Sequence, residues 1–227
     1  GTNAQGCPDS HTLNLTIKYA TSSFTSVTSF SAYTWAANNQ TYTTSGVYTY
    51  TTINTAGCDS IMTLTLSVIQ VAVNFTMQNV VQTSPSEFQY DVMMTYTGNA
   101  NLALRGYSCG INHAAGMNGS GSISQSYLSR DAGLSSIPAV TFGYSASLNH
   151  LRFTTTNAAA GSEVTLSPGI PVRLATMKVS NTVNFPANFN PAFAMQTITA
   201  SGKTQCVATC IITPPGSSYV INGTGNT

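Results

Sequence analysis

Between Glu87 and Gly98, in EFQYDVMMTYTG, the residues Phe88, Tyr90, Val92, Met94 and Tyr96 take every second position. A period of two sends alternate side chains to opposite faces of an extended chain, so this stretch has one face to bury and one to hydrate. The pattern recurs with Leu13, Leu15 and Ile17 in residues 10–18, and with Met62, Leu64, Leu66 and Val68 in Ile61–Val68. Helical spacing of apolar residues is almost absent. Turn signals at Asn38-Asn39, Ser45-Gly46, Ala56-Gly57, Ser84-Pro85-Ser86, Gly98-Asn99 and Pro168-Gly169 cut the chain into short extended runs. Short strands between such turns predict an all-β chain of the sandwich type.

Residues 2–17, TNAQGCPDSHTLNLTI, echo residues 53–68, INTAGCDSIMTLTLSV, at an offset of 51. Asn3/Asn54, Gly6/Gly57, Cys7/Cys58, Thr12/Thr63, Leu13/Leu64 and Leu15/Leu66 fall in register. A repeat of that period marks a modular array that reuses one supersecondary unit. The first copy lacks its front half, so the chain reads as part of a longer run of modules. Thr12–Ile17 is then expected to be a strand covered by its own chain or by a neighbouring subunit through strand addition. Residues 20–32, rich in Ser and Thr, read as a loop with a short edge strand. The division expected is a repeat-type module over 1–70, a larger sandwich over 71–213, and a tail or extra edge strand over 214–227. Within the second module, residues 114–136 read as a Gly/Ser-rich surface loop with short strand pieces around Gly121–Leu128.

Only 6% of residues are charged, where an average soluble domain has roughly 25%. Thr, Ser, Asn and Gly carry the polar surface, a composition expected of extracellular, repetitive proteins. Net charge is +1 and the seven Lys and Arg are scattered from Lys18 to Lys203. Nucleic-acid binding needs a clustered cationic stripe to displace phosphate counterions, which this distribution excludes. No apolar run is long enough for a membrane-spanning helix. The chain begins at Gly1, as expected where an upstream segment has been removed. Of the five cysteines, Cys206 and Cys210 have a spacing that zinc sites use. His11, His113 and His150 stand alone in the sequence, however, and no second close pair completes a tetrahedral shell. A disulfide among Cys109, Cys206 and Cys210 is the expectation, and no metal or cofactor is implied.

Tyr33-Thr34-Trp35, Gln40-Thr41-Tyr42, Ser45-Gly46-Val47-Tyr48, Gly57-Cys58-Asp59-Ser60-Ile61 and Thr63-Leu64-Thr65-Leu66 occur in that order. This set resembles a repeat of very long surface and adhesin-like proteins of Bacteroidota-type bacteria, many exported by the type IX route. The resemblance covers residues 30–68, with residues 2–17 as a half copy, and implies display at the cell surface. Asp59-Ser60-Ile61 resembles the short O-glycan acceptor pattern of that group, which makes Ser60 a candidate modification site. Phe88–Val92, Gly110–Asn112, His150–Arg152 and Leu174–Met177 with Ser180–Thr182 resemble a cohesin-like module, implying a jelly-roll sandwich.

Six acids serve the whole chain: Asp9, Asp59, Glu87, Asp91, Asp131 and Glu163. Glycoside hydrolysis needs two carboxylates facing each other across a cleft. Glu87 and Asp91 share a strand face by spacing, but the same spacing suits rim charges. Ser126, His113 and Asp131 make a triad only on paper, with no nucleophile elbow to support it. Tyr33, Trp35, Tyr42, Tyr48 and Tyr50 cluster within 18 residues. Such rings serve either as an exposed sugar platform or as cross-strand packing in a thin sheet. The sequence therefore reads as a non-enzymatic module of a bacterial surface fibre, stalk or adhesin. Its partners are expected to be neighbouring modules, further copies or surface glycans. A carbohydrate-binding module of a secreted enzyme, or a secreted hydrolase with an unrecognised site, are the competing readings.

Overall fold

The computed structural model describes residues 1–2, 4–7, 12–213 and 217–226. Asn3 of the repeat, Asp9 and His11 lie outside the described residues. The chain divides into two units, Gly1–Val68 and Ile69–Thr227. The helical element among the described residues is one 3-10 turn, Ala132–Leu134, and none of their helices is long and apolar enough to cross a membrane.

Five strands build the first unit: β1 (Thr21–Phe30), β2 (Tyr33–Trp35), β3 (Gln40–Tyr42), β4 (Gly46–Ile53) and β5 (Asp59–Ile69). They form a sheet ordered β1-β5-β4 and a separate β2-β3 hairpin. Asn39 turns that hairpin with a positive φ of 55°, while the Asn38 carboxamide oxygen accepts the Gln40 N–H at 3.1 Å. Asn tolerates this left-handed backbone because its short side chain bonds locally. Alternate residues of β5, Leu64, Leu66 and Val68, bury one face of the sheet against Trp35. Two expectations fail here. Thr12–Ile17 is not a strand, and Leu13, Leu15 and Ile17 are 84%, 72% and 60% exposed. Alternation supplies an apolar face, but a ladder also needs a neighbour, and residues 12–17 have none in the sheet order. The neighbour of β5 is instead β1, a ten-residue edge strand where a loop with a short edge strand was expected. Its Thr side chains favour the pleated surface.

The second unit continues with β6 (Val71–Ser84), β7 (Glu87–Gly98), β8 (Asn101–Asn112), β9 (Ile123–Ser129), β10 (Thr141–Ser145) and β11 (His150–Thr154). It ends with β12 (Val164–Leu166), β13 (Pro171–Asn181), β14 (Ala194–Met195), β15 (Val207–Thr213) and β16 (Ser217–Asn226). The sheet order is β10-β11-β8-β15-β16-β6-β7-β13-β9, with β12 and β14 also paired to β8. Phe88, Tyr90, Val92, Met94 and Tyr96 of β7 are all buried, as their alternation requires. Opposite them stand Leu102, Leu104 and Ile111 of β8, Leu151 and Phe153 of β11, and Ala208 and Ile212 of β15. The result is an all-β sandwich. Across its core the buried Tyr107 hydroxyl of β8 donates to the Leu174 carbonyl of β13 at 2.8 Å. The expected loop over 114–136 contains a full seven-residue strand, β9, on the outer side of β13.

β16 is not an edge strand. Residues 217–222 pair antiparallel with β15, and Gly223–Asn226 then pair parallel with β6. One strand thus changes sheets at Asn222/Gly223 and joins the two halves of the sandwich. A Cβ at Gly223 would stand 2.2 Å from the Phe75 ring, so only glycine lets the crossing chain pass that close.

Replacing Tyr107 by Phe should lower the stability of the second unit by about 1–3 kcal/mol, because the buried Leu174 carbonyl loses its partner. Urea unfolding of the two chains checks this, and equal midpoints would contradict the cross-core bond.

Candidate functional site

The aromatic cluster of the first unit is a core and not a platform. Trp35 is 4% exposed, and Tyr33, Tyr42 and Tyr48 pack around it with Leu64, Leu66 and Val68. Tyr42 and Tyr48 rings lie 3.9 Å apart, tilted by 34°. Only Tyr50 of the five is exposed, at 37%. The rings do not present several coplanar open faces, and the packing reading of these residues is the one the geometry supports. Ser60, half-buried on β5, accepts the Thr21 hydroxyl at 2.9 Å.

The acids are similarly occupied. Glu87 accepts Lys178 Nζ and Ser180 Oγ, each at 2.9 Å. Asp91 accepts the Thr176 hydroxyl and, at 2.7 Å, the Asn79 amide. Asp131 accepts the Arg173 N–H at 2.7 Å, and Glu163 lies 3.6 Å from Arg105 Nε. The paper triad is not assembled: Ser126 sits opposite Lys178, Asp131 holds Arg173, and His113 bonds its own neighbour's carbonyl. The thiols of Cys58, Cys109, Cys206 and Cys210 are free. Cys109 and Cys206, both fully buried, are joined by a side-chain hydrogen bond, and burial pushes the Cys109 thiol well above its usual value. Cys210 lies on β15; its burial pushes it up to about 12. No group of three or more metal-ligating side chains occurs among the described residues.

One place in the second unit does collect uncommitted chemistry. Pairing of β11 with β8 sets His150 opposite Asn112, which brings His113 beside it although the two histidines are far apart in sequence. The β10-β11 hairpin adds Tyr144 and Arg152, and the loop before β15 adds Lys203 and Thr204. Gly143, Tyr144, Ser145, His150, Arg152 and Gly202 enclose a cavity of about 240 Å³. Gly110 is the condition for this arrangement. A Cβ there would meet the Thr204 carbonyl oxygen at 1.8 Å and His150 Cε1 at 2.5 Å.

Hydrogen bonds set the tautomers. His150 Nε2 accepts the Thr204 N–H at 2.9 Å, so the neutral ring carries its proton on Nδ1. His113 Nδ1 faces the Ala114 carbonyl at 2.8 Å and must donate, which leaves Nε2 as a lone pair. His150 Nδ1, His113 Nε2 and the Tyr144 hydroxyl are buried with no partner, and the His113 and Tyr144 rings stack at 5.5 Å. Lys203 Nζ is held by Asn112 Oδ1 at 2.7 Å. Burial, then Lys203, His113 and Arg152, push His150 down to about 4. Burial and then Lys203 lower His113 against the opposing hydrogen bond to Ala114. Sequence reasoning left both histidines unassigned because only strand register unites them.

A neutral His150 in the fold contributes stability that is fully present above its unfolded value of about 6.5 and is lost as pH falls toward 4. Glu87, held below its usual 4.5 by Lys178 and Ser180, adds its own loss only at lower pH. Urea midpoints of the parent chain should therefore fall between pH 6.5 and 4, and those of His150→Gln should fall less. Parallel pH profiles would contradict the assignment.

No protein-family model matches the chain, and no curated protein matches its sequence. Among solved structures it is similar to the second type II cohesin module of the ScaA scaffoldin of Acetivibrio cellulolyticus, at 11% identity and a TM-score of 0.36. That match covers 69% of this chain and 93% of the cohesin. A carbohydrate-binding module from cellobiohydrolase 9A of Clostridium thermocellum is 16% identical over 70% of this chain and all of the module, with a TM-score of 0.37. The type II cohesin dyad of the same scaffoldin is 13% identical over 83% of this chain, with a TM-score of 0.40. The chain spans about half of the dyad, 54% of its length. Similarity at this level does not carry function from those proteins to this one.

Proposed function

We propose that this chain is a non-catalytic extracellular β-module of a bacterial surface stalk, fibre or adhesin. Neighbouring modules or copies of the chain are its partners. The observation that carries the reading is the use of the carboxylates in the second unit. Glu87, Asp91, Asp131 and Glu163 are its whole acid complement, and each is bonded to another segment of its own fold. Acids spent as clamps between strands leave none to act as general acid or nucleophile. The hydroxyl- and amide-rich surface agrees with this, since it keeps a protein hydrated outside the cell with little charge.

The test is turnover. Incubated with soluble and insoluble polysaccharides, the chain should release no reducing ends. Glu87→Gln and Asp91→Asn should lower its thermal midpoint and change nothing else. A rate abolished by either substitution would overturn the non-catalytic reading.

Export predicts a covalent bond. The neighbouring thiols of Cys109 and Cys206 would be oxidised together, losing two protons and passing two electrons to a disulfide-bearing oxidoreductase. Both sulfurs end buried, so the bond forms while the unit folds. Peptide mapping without reductant should recover Cys109 linked to Cys206 from protein collected outside the cell. Two free thiols there would count against the extracellular assignment.

A further inference from the structure

We propose that the cavity between β10, β11 and the 200–204 loop binds the carboxylate of a small hydroxylated acid, the chemistry of a uronic acid unit. The inference rests on this geometry alone and stands apart from the adhesive reading. Arginine use in the second unit is the first ground. Arg105 pairs with Glu163, Arg130 donates to the Ile137 and Pro138 carbonyls, and Arg173 faces Asp131. Arg152 has no such partner among the described residues, is exposed, and lines the cavity.

Orphaned polar atoms are the second ground. Of the eight buried side-chain atoms without a hydrogen bond among the described residues, Arg105 Nε and Glu163 Oε1 face each other, and Arg173 Nε faces Asp131. Two more are amide oxygens of Gln125 and Asn181 near the β9–β13 edge. The remaining three, His113 Nε2, Tyr144 Oη and His150 Nδ1, gather at this one place. A buried polar atom with no partner costs about 1–3 kcal/mol; Tyr144 Oη and His150 Nδ1 are donors that an anion answers, and His113 Nε2 is a lone pair that a ligand hydroxyl answers. His150 is 3% exposed, and its unpartnered nitrogen is a donor by the tautomer argument above.

Charge and size choose the class. Arg152 lines the cavity beside a histidine that is neutral at physiological pH, and Lys203, held by Asn112, adds a second positive charge nearby, so the site suits an anion. Arginine takes a carboxylate through two parallel N–H bonds. Ser145 and Tyr144 offer hydroxyls to a hydroxylated ring. The volume lies below the roughly 300–1,000 Å³ of drug-sized pockets, which admits one ring and no chain.

The experiment is calorimetric titration of the full chain with glucuronate, galacturonate, glucose and inorganic phosphate. At least one uronate should bind, glucose should not, and phosphate should bind more weakly. Arg152→Gln, an exposed change that leaves the core intact, should weaken the uronate by roughly tenfold or more, as losing a charged hydrogen bond does. Tyr144→Phe should weaken it severalfold, with the thermal midpoint showing that each variant is folded. Tighter binding of an oligosaccharide ending in glucuronate would identify a polysaccharide end as the source, and equal binding a free acid; both sustain the proposal. No uronate binding, phosphate binding as tight as uronate, or an unchanged affinity in Arg152→Gln would overturn it.

Discussion

A single strand holds the second unit together. β16 completes the ladder of β15 with its first half and that of β6 with its second, so neither sheet has a free edge where they meet. Unpaired ladder groups are costly when buried and sticky when exposed, which makes this join a condition for the sandwich. The crossing works because Gly223 passes over the Phe75 ring and donates its N–H to the Cys206 carbonyl at 2.9 Å. That bond also fixes the chain just before β15, next to Cys109 and Gly110. The join between the sheets and the floor of the histidine cavity are therefore set by the same few residues.

With so few charges, each acid of the second unit has a local task. The acids of the second unit tie β7 to β13, the turn at Asp131 to β13, and the loop at Glu163 to β8. The β8–β15 register shifts between Thr209 and Cys210, across from the step between Gly106 and Leu104. Arg105 falls in that step, and its guanidinium reaches Glu163 and the Ala158 carbonyl. A bulge turns a strand residue outward in this way, and the released side chain anchors a loop that has no ladder of its own. Arg152 lies on a regular stretch of β11 opposite Gly143 and has no carboxylate to serve. Contrast with the other arginines makes it stand out, where a more charged protein would hide it.

Local patterns were the legible part. Five alternating residues of β7, the buried side of β5 and the Asn-led β2-β3 turn follow from periods and turn chemistry that any window of the sequence contains. β1 was misread because Ser and Thr make both loops and strands, and nothing within the window says which. β16 was read as a tail or an edge strand, and its crossing between sheets was missed, for a different reason. SSYVINGTGN has little apolar alternation and two glycines, the marks of a tail, yet its hydrogen bonds come from two strands far away in sequence. Thr12–Ile17 erred the other way, with a good pattern and no neighbour.

The aromatic and histidine clusters show the same limit from the side of function. Five rings close in sequence fitted either an exposed platform or cross-strand packing, and Trp35, Tyr33, Tyr42 and Tyr48 pack with Leu64 and Leu66. Two histidines distant in sequence suggested nothing, and the register between β8 and β11 made them neighbours. Composition could not separate these cases, because what decides them is which side of a strand faces the other sheet. The useful trace was negative: two histidines and an arginine with no carboxylate near them in sequence. In a chain this poor in acids, cations without partners are where binding is to be sought.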